Sequence, residues 1–448
     1  MLFMLLVCAF PGAETLRAGA ASVDITPDPK AFKVWLAGFG RGRRAEFVTD
    51  PIAARALVLE GEGATVALVC ADVVGLFDES ARRVAERLPG IRVVVSATHT
   101  HHAPDTLGLW GTGISSGVHP PYLARVEEAC VAAVKAAKAA LKPVSARLGE
   151  VEAGDLMKDS RPPLVKMDPM GILRFDAADG KPACLAVLWH NHPEMINSSH
   201  KGISSDYVGP LVGALGRKYG CPVVYLTGAV GGLMSPPSQP VKAADGRELP
   251  KNSVEATFRY GELIAERAGK AVDGSKPARL TPMRLAQRDV YLPVDNLLYV
   301  AGNQLGTLPR KMYFWSGSVD KPGEAKDGGR KALRSCAGVL TLGELQVALV
   351  PGELYPELAL GKVPEPAPTG ADFPDAPVEP SVLSQLNAKH RWILGLAQDE
   401  VGYIMPRRQW DAKEPFTYDY KKAPYGEINS LGPDTAPLLL PLYKDLAR

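Results

Sequence analysis

The chain reads as an α/β or α+β protein: a single large domain in which mixed β-sheets are flanked by helices and a metal site lies at strand ends. Three observations predict this. Short apolar, β-branched runs such as Ala64 to Ala71 and Leu185 to Trp189 interleave with longer stretches of helical spacing. They do so without strict βαβ alternation, which disfavours a doubly wound sheet. Two of the apolar runs end in histidines, so that six of the chain's eight histidines fall in two short segments, His99, His101 and His102 in one and His190, His192 and His200 in the other. Hydrophobic residues make up 46% and charged residues 22% of 448 positions, the balance of an ordinary globular protein with a sizeable core.

The elements follow in order. Ala21 to Pro27 alternates like a first strand and stops at proline. Gly38-Phe39-Gly40-Arg41-Gly42 is a loop in which glycine lets the backbone turn or approach another group closely; it lacks the third glycine and the following helix of a phosphate-binding fingerprint. Ala53 to Glu60 and Ala64 to Ala71 are expected to pair around Gly61-Glu62-Gly63, and Glu79 to Arg87 to form a helix leading into the strand that ends at Val95. Pro121 to Leu141, Val208 to Tyr219 and Val254 to Val272 have helical spacing, the first opening on a proline that a helix's first turn tolerates. Ser145 to Glu152, Gly171 to Phe175, Val223 to Leu226, Arg284 to Leu292, Gly338 to Leu342 and Leu345 to Val350 read as strands. The proline-dense Val363 to Pro380 reads as a long surface loop within the domain.

Composition excludes some function classes. Lys plus Arg number 51 against 49 Asp plus Glu with no long basic run, so no nucleic-acid partner is expected. The apolar run Leu2 to Phe10 is too short to span a bilayer and is followed by small residues, so residues 1–20 are expected to be a secretory signal, although no Lys or Arg precedes the run. The remainder, residues 21–448, is then a secreted or periplasmic catalytic domain with no transmembrane segment. Cys70, Cys130, Cys184, Cys221 and Cys336 show no Cys-x-x-Cys spacing; Cys70 and Cys130 read as core residues, and a Cys184 to Cys221 disulfide is possible.

The histidines carry the chemistry. In an extended chain His99 and His101 face one side while Thr98 and Thr100 face the other, so two imidazoles can converge on one ion. Alone, a His-x-His pair reads equally well as polar loop residues; the second cluster, His190-Asn191-His192-Pro193-Glu194, repeats the design and favours a metal. Two further segments are placed similarly, Pro351-Gly352-Glu353 after a strand and Gly395 to Pro406, which contains Gln398, Asp399, Glu400 and Tyr403. By themselves Glu353 and Tyr403 read first as surface charge or core packing.

Taken together, these segments resemble the neutral/alkaline ceramidases, or more broadly the group carrying the ceramidase-like N-terminal catalytic domain. The likeness runs in order from Ala20 to Pro27 through SATHTHHAPD, HNHPE with ISSDYVG, VPGEL and GLAQDEVGYIMP to Leu431-Gly432-Pro433. It implies one catalytic Zn2+ held by His99, His192, Glu353 and Tyr403. His101 would contact the substrate or a developing oxyanion, and Arg161, in Lys158-Asp159-Ser160-Arg161-Pro162, would bind substrate. Ser235 falls near the family serine, but Gly231-Gly232-Leu233-Met234-Ser235-Pro236 lacks the acid of the family's Gly-Asp-Val-Ser-Pro motif and adds a residue. His102, Ala103 and Asp105 also depart from the pattern, and the immunoglobulin-like C-terminal domain of true ceramidases is expected to be missing.

The implied chemistry is hydrolysis of a linear amide, in an N-acyl sphingosine or another N-acyl compound, by metal-activated water. Tyr403 either ligates or donates to the tetrahedral oxyanion. Asp399 and Asp206 either orient the ligating histidines or cap loops and helices; His119, His200 and His390 are expected to be structural. The partner is a small-molecule or lipid amide. The alternative is a non-catalytic binding protein built on the same domain.

Overall fold

The computed structural model describes residues 16–325 and 328–448. Most of the expected signal segment lies outside the described residues; Arg17–Asp24, which begins before the expected Ala21, is the first strand.

Three mixed sheets enclose one shared core, and each is built the same way. An antiparallel hairpin is followed by a crossover that returns as a parallel strand beside the hairpin's second arm. In the first sheet the hairpin is Ala53–Gly61 with Ala64–Ala71 and the parallel strand is Arg92–Ala97, with Arg17–Asp24 and Lys142–Pro143 on the far side. In the second, Pro169–Asp176 pairs with Pro182–Trp189 and Val223–Thr227 returns parallel, with Ser145–Glu152 and Lys276–Pro277 beyond. In the third, Lys331–Leu342 pairs with Leu345–Leu349 and His390–Leu394 returns parallel; Met283–Val294 and Met312–Trp315 also pair with the long strand.

The alternation of side chains explains why these runs are apolar throughout. Leu57, Leu59, Val66 and Leu68 of the first sheet, Leu173, Phe175, Ala186 and Leu226 of the second, and Leu340, Val347, Leu349 and Leu394 of the third all meet in the shared core. Their neighbours face outward onto helices: Ala56, Val58 and Val69 onto the side of Pro120–Ala139, and Leu185, Val187 and Tyr225 onto the side of Val208–Tyr219 and Val254–Gly274. A strand covered on both faces has no polar side, which removes the two-residue alternation a half-exposed strand would show. The proline-dense segment lies in the crossover of the third sheet, between Pro356–Leu360 and Val382–Gln385, without strand or helix of its own.

The same alternation rules out the possible disulfide. Cys184 packs in the shared core and Cys221 in the helix-side core, on opposite faces of the second sheet, and the five described cysteines are free and buried.

At one end of the prism the three sheets are stitched together. The Thr227 hydroxyl of the second sheet donates to the Ala97 carbonyl of the first (2.8 Å), and Gly395 N–H, just after the third sheet, donates to the Thr227 carbonyl (2.9 Å). Gln398 closes the ring against the edge strand Arg92–Ala97. Its backbone N–H donates to the Val95 carbonyl (2.7 Å), its side-chain oxygen accepts from Val95 N–H (2.9 Å), and its side-chain amide donates to the Val93 carbonyl (3.1 Å). One glutamine thus stands in for a neighbouring strand.

Gln398→Ala leaves the Val95 N–H and one bond to Val93 unmade in a buried place, and is expected to destabilise the protein by about 2–4 kcal/mol. Equilibrium urea unfolding checks this; a change of under about 0.5 kcal/mol, the usual scatter of neutral substitutions, would contradict it.

Candidate metal centre

All the sequence segments that carry candidate ligands leave the strands at the stitched end. After Ala97, the Thr98 and His99 N–H groups continue the parallel ladder onto the Ala71 and Val73 carbonyls. At His99 the backbone enters the left-handed region (φ 71°), uncommon for a residue with a Cβ. The simple alternation expected for His99 and His101 is therefore broken. They reach the same place through a turn, with ring centroids 5.1 Å apart. Gly38 makes room for this: a Cβ there would lie 2.2 Å from Cγ of His101.

Two backbone carbonyls set the ring orientations. His99 Nδ1 donates to Val74 O (2.5 Å) and His192 Nδ1 to Met234 O (2.7 Å), which in the neutral ring leaves the Nε2 lone pair free. Both Nε2 atoms face one carboxylate oxygen, Glu353 Oε2, at 3.4 Å from His99 and 2.9 Å from His192. Glu353 is delivered by the parallel pairing of Glu353–Leu354 with Tyr403–Ile404, in which Glu353 sits directly opposite Tyr403. His99, His101 and His192 offer ligand nitrogens within 4.8 Å of one another, and all three rings are buried.

Burial by itself favours the neutral forms, and the neighbours then divide the charges. His101 is held well below the ordinary imidazole value by burial and by the adjacent His99 and His192. Burial lowers His192 too, but its hydrogen bond to Glu353 and the nearby carboxylates raise it on balance. Burial would raise Glu353, yet the two imidazoles beside it hold it below the usual range.

His101 has a neighbour that sequence reasoning passed over. Its Nδ1 lies 3.4 Å from Glu194 Oε2 without a hydrogen bond between them, and the Ser235 hydroxyl donates to the other oxygen of Glu194 at 2.6 Å. Ser235 thus acts on the neighbouring cleft, which it lines with Glu194, Lys158 and Phe39, and reaches the histidines only through Glu194. The signal was available: Glu194 closes the second histidine segment, two residues after His192.

The remaining candidates separate. Tyr403 is buried and lines the same pocket as His99, His101 and Glu353, packed against Tyr355 and Tyr425. Arg161 is elsewhere: its guanidinium makes a two-pronged ion pair with Glu427 (2.8 Å each) and donates to the Gln409 carbonyl, so its charge is neutralised within the fold. Neither aspartate touches a histidine. Asp399 accepts from Asp78 N–H, where a helix begins, and from Arg310. Asp206 accepts from the Ile196 and Tyr207 N–H groups and pins the loop after His192. His119 stacks on Phe32, His200 bonds Thr49 and His390 opens a strand, as expected. His102 packs on Phe39 and His200, away from the three-histidine group.

Comparison with solved structures gives the fold a likeness. The chain is similar to the neutral ceramidase from Pseudomonas aeruginosa with a TM-score of 0.73 at 17% identity, over 97% of this chain and 74% of that one. It is similar also to a ceramidase complexed with C2, with a TM-score of 0.69 at 17% identity, over 97% and 75%. The ceramidase-like fold is therefore shown, and its mixed sheets with a histidine cluster at the strand ends match the expectation from sequence. No family model and no curated protein matches the sequence. No described helix is long and apolar enough to cross a membrane.

Two outcomes follow. His99→Ala and His192→Ala should each lower the divalent-metal content of the purified protein well below that of the parent, measured by elemental analysis; full metal content in both would exclude this centre. His190, whose Nδ1 accepts from Ala229 N–H, is a pH sensor of the fold rather than of the site. Burial depresses it to about 4 from 6.5, so the unfolded chain binds its proton more readily. Its contribution, on the order of 3 kcal/mol, is complete above pH 6.5 and lost as pH falls towards 4. The urea midpoint of His190→Gln should therefore fall less than the parent's over that window; parallel curves would refute the assignment.

Proposed function

We propose that this chain is a zinc-dependent hydrolase of linear amide bonds acting on an N-acyl substrate, a lipid amide among the candidates. The observation that carries the reading is the convergence of two imidazole Nε2 lone pairs and one buried carboxylate oxygen, each imidazole fixed from behind by a backbone carbonyl. Bonds of this kind, made at the ring nitrogen that faces away from the ion, are what orient histidines towards a cation. The donor set fits zinc: His99, His192 and Glu353 would hold the ion through nitrogen and oxygen, with Tyr403 beside them. Bound there, zinc supplies Lewis acidity for water and for a carbonyl group.

The chain's own groups do the rest. His101, neutral and buried with Glu194 beside its Nδ1, can take or give a proton. The Tyr403 phenol, kept protonated by burial and by the negative Glu353, is a donor for the oxyanion of a tetrahedral intermediate. The apolar pocket beside them keeps water from the reacting groups and accepts an apolar part of the substrate. The fold's likeness to a neutral ceramidase supports this class of substrate, and the apolar N-terminal run supports export to the periplasm or medium.

A panel of N-acyl amides, ceramide included, tests the reading. Release of the amine should be abolished by chelator and restored by zinc. His101→Ala should keep its zinc and lose about 10²–10⁴-fold in kcat. Absence of chelator-sensitive release from every member would leave a binding protein on a ceramidase-like fold.

A further inference from the structure

The pocket beside His99 and Glu353 encloses about 70 Å³, and Val74, Phe77, Leu107, Leu308 and Met312 are among its walls. One buried acid interrupts that lining. Glu400 is 6% exposed; its Oε1 accepts from Gly402 N–H at 2.8 Å, while its Oε2 is buried with no hydrogen-bond partner. The place is shaped for it. A Cβ on Gly75 would lie 2.9 Å from Cγ of Glu400 and 3.3 Å from Cδ1 of Leu107, so only glycine leaves the carboxyl where it is.

The nearby charges are engaged elsewhere. Arg310, which shares the pocket, gives its guanidinium to Asp399 and to the carbonyls of Glu400 and Arg334, not to the Glu400 carboxyl. Glu353 faces His99 and His192. An unpartnered buried carboxyl oxygen costs about 1–3 kcal/mol or more, which a leucine in the same place would not. Among the described residues, Glu400 is the one carboxyl with an unpaired buried oxygen that lines this pocket.

We propose that Glu400 is a specificity residue whose free oxygen pairs with a hydroxyl on the substrate group that enters this pocket. This rests on the amide-hydrolase reading and narrows it to amides whose pocket-bound part is apolar but hydroxylated close to the amide. A hydroxyl suits the site because it donates to a carboxylate and accepts from a carboxylic acid. An ammonium would suit only the ionised form. It would also lose its hydration against apolar walls.

The test is binding by titration calorimetry of matched probes to the zinc-loaded protein: N-methylhexanamide against its 2-hydroxy and 3-hydroxy forms, and N-hexylacetamide against its 2-hydroxy form. The parent protein should bind at least one hydroxylated probe about tenfold more tightly than its unsubstituted partner, since a site built to pair a hydroxyl rejects the analogue lacking it. Glu400→Leu should bring that ratio to about one. Gly75→Ala, which crowds the carboxyl, should lower it as well and serves if the leucine variant fails to fold. No preference in the parent, or a preference that survives in both variants, overturns the proposal. Turnover of the same probes is read separately: binding preference without any hydrolysis would fail the hydrolase reading and keep the hydroxyl site, whereas hydrolysis without preference would do the reverse.

Discussion

The ring of hydrogen bonds that joins Ala97, Thr227, Gly395 and Gln398 fixes everything that happens at the functional end of this molecule. His99, His192 and Glu353 are carried by three different sheets, and no side-chain contact among them could hold three sheets in register. The polar groups of Thr227 and Gln398 are buried and fully used, so sliding one sheet against another would strand several of them at once. Such a penalty is steep because unmade buried hydrogen bonds cost more than made ones contribute. The shared core is non-directional and would tolerate small shifts; the ring would not.

Much of this was legible in the sequence because apolar period and punctuation are local. Most expected strands and helices recur with shifts of a few residues, such as Pro120–Ala139 for Pro121 to Leu141, but Gly338 to Leu342 is only the end of Lys331–Leu342, and Met312–Trp315 and His390–Leu394 were not read as strands. The histidine segments and Glu353 were visible as polar residues released at the ends of apolar runs. What was not legible is which run joins which sheet. A strand buried on both faces gives no polar face to read, so the threefold arrangement of hairpin and parallel return left no trace in the pattern.

The partners of individual side chains were hidden for a related reason. Arg161 and Glu427 are 266 positions apart, and Gln398 meets a strand 303 positions earlier. The histidines are oriented by the carbonyls of Val74 and Met234, and a carbonyl exists at every residue, so no residue type announces it. Asp399 and Asp206 looked suited to that task by type and location, yet backbone donors and Arg310 claim them first.

Charge balance bears on whether a cation fits the meeting point. Glu353, Glu194 and Glu400 crowd three imidazoles, while the two buried arginines of this end are already matched, Arg161 by Glu427 and Arg310 by Asp399. Arg43 gives its guanidinium to the Ala37 and His101 carbonyls rather than to these acids. Among themselves the acids can only separate their titrations, Glu353 pushed down by the imidazoles and Glu400 pushed up by burial and by Glu353. The short contact between His192 Nε2 and Glu353 requires a proton between them when nothing else bridges the pair. A divalent ion held by His99, His192 and Glu353 would take the place of that proton. It would also keep His101 neutral, because an added cation disfavours its protonation further, and a neutral imidazole is the form that can accept a proton.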